Sequence, residues 1–219
     1  MASSMGVSTT KHICIYGLTA AGKTTHAKLL AQQLDCDYVS ASQLMFDELG
    51  YRDPGDHGTW LRYSEEISAK REDGSVDREV NRRLLALVEG PNQIIFDSWT
   101  LPFMIRAAPG LGEKVICLRL ESDVHSRALK SIVSLGSGAD LSIADALRLI
   151  SDKDASSRQI FARTFGFDIF QPTGHFGRAH LTVDVGPFVY GVRPDEVRRG
   201  VRAAHQRIMR LVSEPREGP

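Results

Sequence analysis

The run Gly17-Leu-Thr-Ala-Ala-Gly22-Lys23-Thr24 fits the pattern G-x-x-x-x-G-K-[ST], and its setting restricts the fold more than any other stretch of the chain. Before it, His12-Ile-Cys-Ile-Tyr16 is a short apolar run of the kind a buried strand needs. After it, Ala27, Leu30, Ala31 and Leu34 recur at helical spacing and give the next segment one apolar face. Strand, glycine loop and helix is the order that anion binding requires. Gly17 and Gly22 allow the backbone to turn its N–H groups inward, and the helix N-terminus adds the positive end of its dipole. The candidate nucleotide-binding residues are therefore Gly17, Ala20, Ala21, Gly22, Lys23, Thr24 and Thr25. Among them Lys23 is the cation for the β- and γ-phosphates, and the Thr24 hydroxyl is placed for Mg²⁺. The pattern predicts a nucleoside triphosphate site, with ATP and Mg²⁺ as cofactors. The alternative, a glycine-rich turn carrying a solvated lysine, leaves the flanking strand and helix unexplained.

Five strand-like runs alternate with helical stretches: His12–Tyr16, then residues 37–40, 93–96, 114–120 and 180–183. The central runs are almost continuously apolar, as parallel strands covered on both faces are. A doubly wound α/β fold with a five-stranded parallel sheet flanked by helices is predicted. At 219 residues the chain suits one domain over 11–212, with a loose leader at 1–10 and a fraying tail at 213–219. Two charged, mostly helical stretches stand outside that sheet pattern, about 42–89 and about 142–168. The first is interrupted by Tyr51-Arg-Asp-Pro-Gly-Asp-His-Gly58, and the second opens on Ser142-Ile-Ala-Asp145, a capping-box variant. They are read as an acceptor-binding insertion and a mobile lid that close over substrate and exclude water. The last helix is expected to open at Pro194-Asp195-Glu196 and to bury Val197, Val201, Ala204, Ile208 and Leu211.

With 27 basic and 27 acidic residues the formal net charge is zero, which offers no electrostatic case for a nucleic acid or a membrane as partner. No apolar stretch approaches the roughly 20 residues of a bilayer span. Cys14 and Cys117 lie in apolar strand-like runs, and the cysteine count of three is odd. They read as reduced core residues of a cytoplasmic protein. The expected partner is a small-molecule phosphoryl acceptor, with the protein itself a monomer or homodimer.

Beyond the loop, further segments fall in a familiar order: Tyr38-Val-Ser-Ala41, Val76-Asp-Arg-Glu-Val-Asn-Arg-Arg83, Ile94-Ile-Phe-Asp97, Ser156-Ser-Arg158 and Phe165-Gly-Phe-Asp168. Together they make the chain resemble the cytidylate kinases, especially the short archaeal-type branch of the nucleoside monophosphate kinase group, from Lys11 to about Leu211. The resemblance implies a P-loop kinase fold with MgATP as donor. It also implies Arg158 as a lid cation reaching the transferring phosphoryl group, with Lys153 standing where the family has an arginine. The departures concern the acceptor. Phe46 stands where a family arginine grips the acceptor phosphate, Ser98 where a second arginine follows the third strand, and Ile160 where the lid has another. A doubly charged phosphomonoester would be poorly compensated there in a closed, dry site. The surroundings, Met45, Phe46, Trp60, Trp99, Phe103 and Met104, are either an aromatic acceptor pocket or plain core. Phe46, Trp60, Ser98 and Trp99 are the acceptor-binding candidates, and Arg52, Arg62, Arg82, Arg83 or Arg106 are cations that could substitute from elsewhere.

Asp97 ends an apolar strand, where a carboxylate orients the Mg²⁺ shell or accepts a hydroxyl proton. Lys23, Asp97 and Arg158 are thus the catalytic candidates, and Thr24 with Asp97 the metal candidates. The expected activity is ATP-dependent phosphotransfer to a hydroxyl of a nucleoside, sugar or antibiotic-like metabolite. The competing readings are a cytidylate or other nucleoside monophosphate kinase, and a nucleotide-binding regulator without catalysis.

Overall fold

A computed structural model describes residues 11–51, 64–135, 141–168 and 180–214. Among the described residues five strands form one parallel sheet in the order β2-β3-β1-β4-β5. They are β1 (His12–Tyr16), β2 (Asp37–Ser40), β3 (Ile94–Asp97), β4 (Val115–Glu121) and β5 (His180–Asp184). The helices between them are α1 (Lys23–Leu34), α2 (Ala41–Glu48), α3 (Ser64–Lys70), α4 (Ser75–Glu89), α5 (Leu101–Ala107), α6 (Val124–Leu135), α7 (Ile143–Phe165) and α8 (Pro194–Ser213). No helix among the described residues is long and apolar enough to cross a membrane.

Alternation along β1 sorts the core into two layers. Cys14 and Tyr16 face Met45, Phe46, Leu84, Leu101 and Ile105, from α2, α4 and α5. Ile13 and Ile15 face Ala27, Leu30, Ala204 and Ile208, from α1 and α8. Helices α2 to α4 therefore build one face of the main core, where the sequence suggested an insertion standing apart from the sheet. The physical reason is the apolar row Ile67, Val80, Leu84 and Val88, each 6% exposed or less, which has to be covered and finds the sheet. The turn at 52–58 and the leader at 1–10 lie outside the described residues, as do Arg52, Trp60 and Arg62. So does the end of the tail, 215–219.

Parallel pairing of β1 with both β3 and β4 makes the end of β1 the point where the chain's winding reverses. In open α/β sheets the crevice for ligand opens there, beyond the carboxyl ends of the strands. The glycine loop occupies that point. A β-carbon on Gly17 would lie 2.4 Å from the Leu120 carbonyl oxygen, and its φ of +146° is one that side chains rarely adopt. Gly17→Ala is expected to cost about 3 kcal/mol or more, lowering the melting temperature by roughly 6–12 °C. Thermal unfolding followed by circular dichroism checks it.

Candidate active site

Gly22, at φ +98°, is the N-cap of α1 and brings no side-chain cap to the helix's first N–H groups. Those helix donors are left for an anion, whereas within the loop the Ala21 N–H donates to the Leu18 carbonyl at 3.2 Å. Ala20 takes a positive φ of 59°, bending the loop around the space it encloses. The Lys23 ammonium crosses the loop and donates to the Leu18 carbonyl at 3.1 Å. Burial lowers its pKa, against the opposing pull of Asp97 and Asp154. One residue on, the Thr24 hydroxyl donates to Asp97 Oδ2 at 2.5 Å. Asp97 is the last residue of β3, in register with Ile15 of β1, so the sheet itself brings the carboxylate to the loop. Thr24 and Asp97, the two metal candidates, are thus brought into contact. One hydroxyl and one carboxylate are hard oxygen donors, and Mg²⁺ takes one or two of these and completes its shell with water and phosphate oxygens.

A cavity of about 200 Å³ lies at this cluster. Lys23, Thr24, Asp97 and Lys153 line it, and so do Phe188, Tyr190, Val197 and Val201. Val197 and Val201 were expected inside the core, and they face this cavity instead. Gly200 between them allows the close approach that shapes it, since a β-carbon there would lie 2.1 Å from the Phe188 carbonyl oxygen. Lys130 donates to the Ala21 carbonyl at 3.2 Å, and burial brings its pKa down to about 8. Burial first, and then the charges of His205 and Lys130, hold His26 down to about 3, so its ring stays uncharged at neutral pH.

Lys153, on α7, lines the same cavity as Lys23, Thr24 and Asp97. Burial, and next the charge of Lys23, push its pKa down to about 7, with Asp154 and Asp97 acting the other way. A triphosphate bound beside it would restore the ammonium, so binding above pH 7 has to take up a proton. At pH 8, calorimetry in buffers of different ionisation enthalpy is expected to show uptake approaching about one proton per MgATP, and Lys153→Met to remove most of it. In the free protein the same shift makes stability rise as pH climbs from about 7 toward 10.5, because the unfolded chain then holds the extra proton.

Several acceptor candidates land elsewhere. Phe46, 4% exposed, is core, edge-on to Tyr51 at 5.8 Å. Ser98, 1% exposed, accepts from the Leu101 N–H at 3.1 Å and shapes the turn into α5. Neither lines this cavity, because the rotation of α2 and the turn after β3 aim both side chains into packed structure. Trp99 does line a second cavity of about 340 Å³ with Gly17, Leu18 and Arg119. Its ring lies 5.6 Å from the Lys23 ammonium and meets Phe161 edge-on at 6.2 Å. Ile160 and Phe161 are buried in that aromatic group, which includes Phe103 stacked on Phe167 at 4.5 Å. Arg82 and Arg83 stand beside Glu79 and Glu48, and Arg106 is exposed. The guanidinium buried on this side is Arg71, which sequence reasoning missed, and Asp77 holds it through two hydrogen bonds of 3.0 and 2.6 Å. Arg158 pairs with Asp168, with its side chain 54% exposed. Tyr38 was also missed as a site residue. Its hydroxyl interacts with Ser40, Thr24 and Asp97, and burial pushes its pKa up to about 12.

No protein-family model matches the chain, and no curated protein is detectably similar to it. Similarity emerges at the level of structure. A shikimate kinase from Bacteroides thetaiotaomicron superposes with a TM-score of 0.56 at 12% identity, over 93% of this chain and 99% of that one. A shikimate kinase from Acinetobacter baumannii, solved in complex with shikimate, gives 0.51 at 16% identity over 93% of each chain. The fold is that of a P-loop kinase. At these identities the likeness concerns the fold, and it supports that class without the narrower cytidylate kinase grouping.

Proposed function

We propose that this chain is an ATP-dependent phosphotransferase that moves the γ-phosphoryl group of MgATP to a hydroxyl of a small molecule. The observation that carries the reading is the Asp97 carboxylate, held by Thr24 on the same cavity wall as Lys23 and Lys153. A protein that only held a nucleotide would have no need of a second, half-buried lysine and a carboxylate at the γ-phosphate end. Thr24 and Asp97 would hold Mg²⁺, which when bound supplies neutralisation of the triphosphate. Lys23 and Lys153 bind phosphate oxygens and stabilise the charge of in-line transfer. Asp97 also takes the acceptor's hydroxyl proton. Trp99 and the ring group behind it keep water from the phosphoryl group. Arg158 adds a further cation once it exchanges Asp168 for phosphate oxygens.

A hydroxyl acceptor is preferred to a nucleotide monophosphate because the buried acceptor-side arginine, Arg71, is already neutralised by Asp77. The A. baumannii structure with shikimate bound is a fold-level analogy for a small-molecule acceptor. Coupled assays of ADP release decide between the readings. Cytidine, uridine and adenosine monophosphates are expected to be poor substrates, and a panel of nucleosides, sugars and hydroxy acids to contain a good one. Turnover of any monophosphate at about 1–100 per second, usual for kinases, would reject the hydroxyl reading.

A further inference from the structure

The helix that carries Lys153 is joined to the phosphate loop by a contact the mechanism above does not use. Asp154, 5% exposed, follows Lys153 on α7, and Arg127, 6% exposed, lies on α6. Arg127 Nη1 donates to Asp154 Oδ2 at 2.7 Å and to the Thr19 carbonyl at 3.1 Å. The Thr19 N–H donates to Asp154 Oδ1 at 3.1 Å. Both polar backbone groups of Thr19, in the middle of the loop, are therefore taken by one buried ion pair. Next to it, the start of α7 is packed on α6 through Ala128, Ala146 and Ile150, and Ala20 of the loop touches the same cluster.

We propose that Arg127 and Asp154 are positioning residues that bind the phosphate loop and helix α7 into one rigid unit, so that Lys153 faces the same anion as Lys23 without a closing motion. The inference rests on the phosphotransfer reading for its consequence, although the clamp itself does not depend on it. Three physical points carry it. A buried ion pair of this kind is costly to open, because separating it leaves two uncompensated charges away from water. Its hydrogen bonds run to backbone atoms, so they restrain the loop's path and not merely a side chain. Lys153 and Asp154 are adjacent in the chain, so restraining one restrains the other. The lid expected at 142–168 is on this account anchored at its middle, and adjustment on binding falls to Arg158 and the residues after it.

Two measurements test the inference. In the wild-type protein, hydrogen exchange by NMR is expected to find the Thr19 amide as protected as the amides of α7 around Asp154. A Thr19 amide exchanging at the rate of an exposed loop overturns the clamp, and this readout needs neither a variant nor turnover. In the second, Asp154→Asn is expected to lower kcat about 100-fold while changing the KM for ATP less than about 5-fold. In that background Lys153→Met should then cost no more than about 2-fold, against about 30-fold in the wild type, since a lysine already out of place has little left to lose. Independent, additive losses, or an Asp154→Asn variant with wild-type kcat, would make the pair merely structural. Should the variant fail to fold, the exchange of Thr19 decides alone. A wild-type protein without any phosphotransfer rejects the function proposed above and leaves the clamp to that same measurement.

Discussion

Lys23→Ala is expected to remove phosphotransfer, by about 10³-fold or more, while leaving the fold intact. Its ammonium lies across the loop, 3.1 Å from Leu18 O, where it meets the phosphates directly. Stability should not suffer, because the amine is desolvated and its pKa already lowered, so removing it relieves a burial cost. The measurement is initial-rate kinetics alongside thermal unfolding of the same preparation. Trp99 supplies an internal control, since the ammonium lies 5.6 Å from its ring centroid and its loss should shift the tryptophan emission. A variant with an unchanged melting temperature and near-normal turnover would reject the phosphate-loop assignment itself.

Asp97→Asn is the second large effect. The amide keeps the shape and can still meet the Thr24 hydroxyl, but it has no charge with which to hold Mg²⁺ or to accept a proton. A loss of about 10²–10⁴-fold in kcat is expected. Raising Mg²⁺, or substituting Mn²⁺, is expected to recover part of it, because weakened metal binding yields to mass action. A loss that no concentration of metal repairs would assign Asp97 to the proton alone. Turnover close to wild type would return Asp97 to the role of a strand-end residue.

The five strands were legible as apolar runs because a parallel strand covered on both faces needs apolar residues throughout. The glycine loop was legible because its chemistry is local: β1, the turn and the start of α1 are consecutive in the chain. Asp97 was legible for a related reason, a single carboxylate at the end of an apolar strand. The cap at Ser142 was equally local, with its hydroxyl accepting from the Asp145 N–H at 3.1 Å as expected. The acceptor side was not legible in this way. Phe46 was judged by its place in the chain, yet whether it meets a ligand or the core depends on how α2 is rotated against α4. Ser98 was judged by the absence of an arginine, and its turn geometry gave it a different task.

Each element whose causes lie within a few residues was set locally: strands, caps, the loop and the charge placed on it. Which charges meet was settled by packing between distant segments. Thr19 and Asp154 are 135 residues apart, and Asp154 lies 27 beyond Arg127, which also grips Thr19. On a helical wheel each of these charged residues reads as a solvated position, because a period of 3.6 tells which side chains share a face and not what covers that face. Packing α7 against α6 and the loop turned such positions into a buried clamp, with Lys153 beside Lys23. Burial then reset the titration of the two lysines by removing water, a term that no local pattern contains.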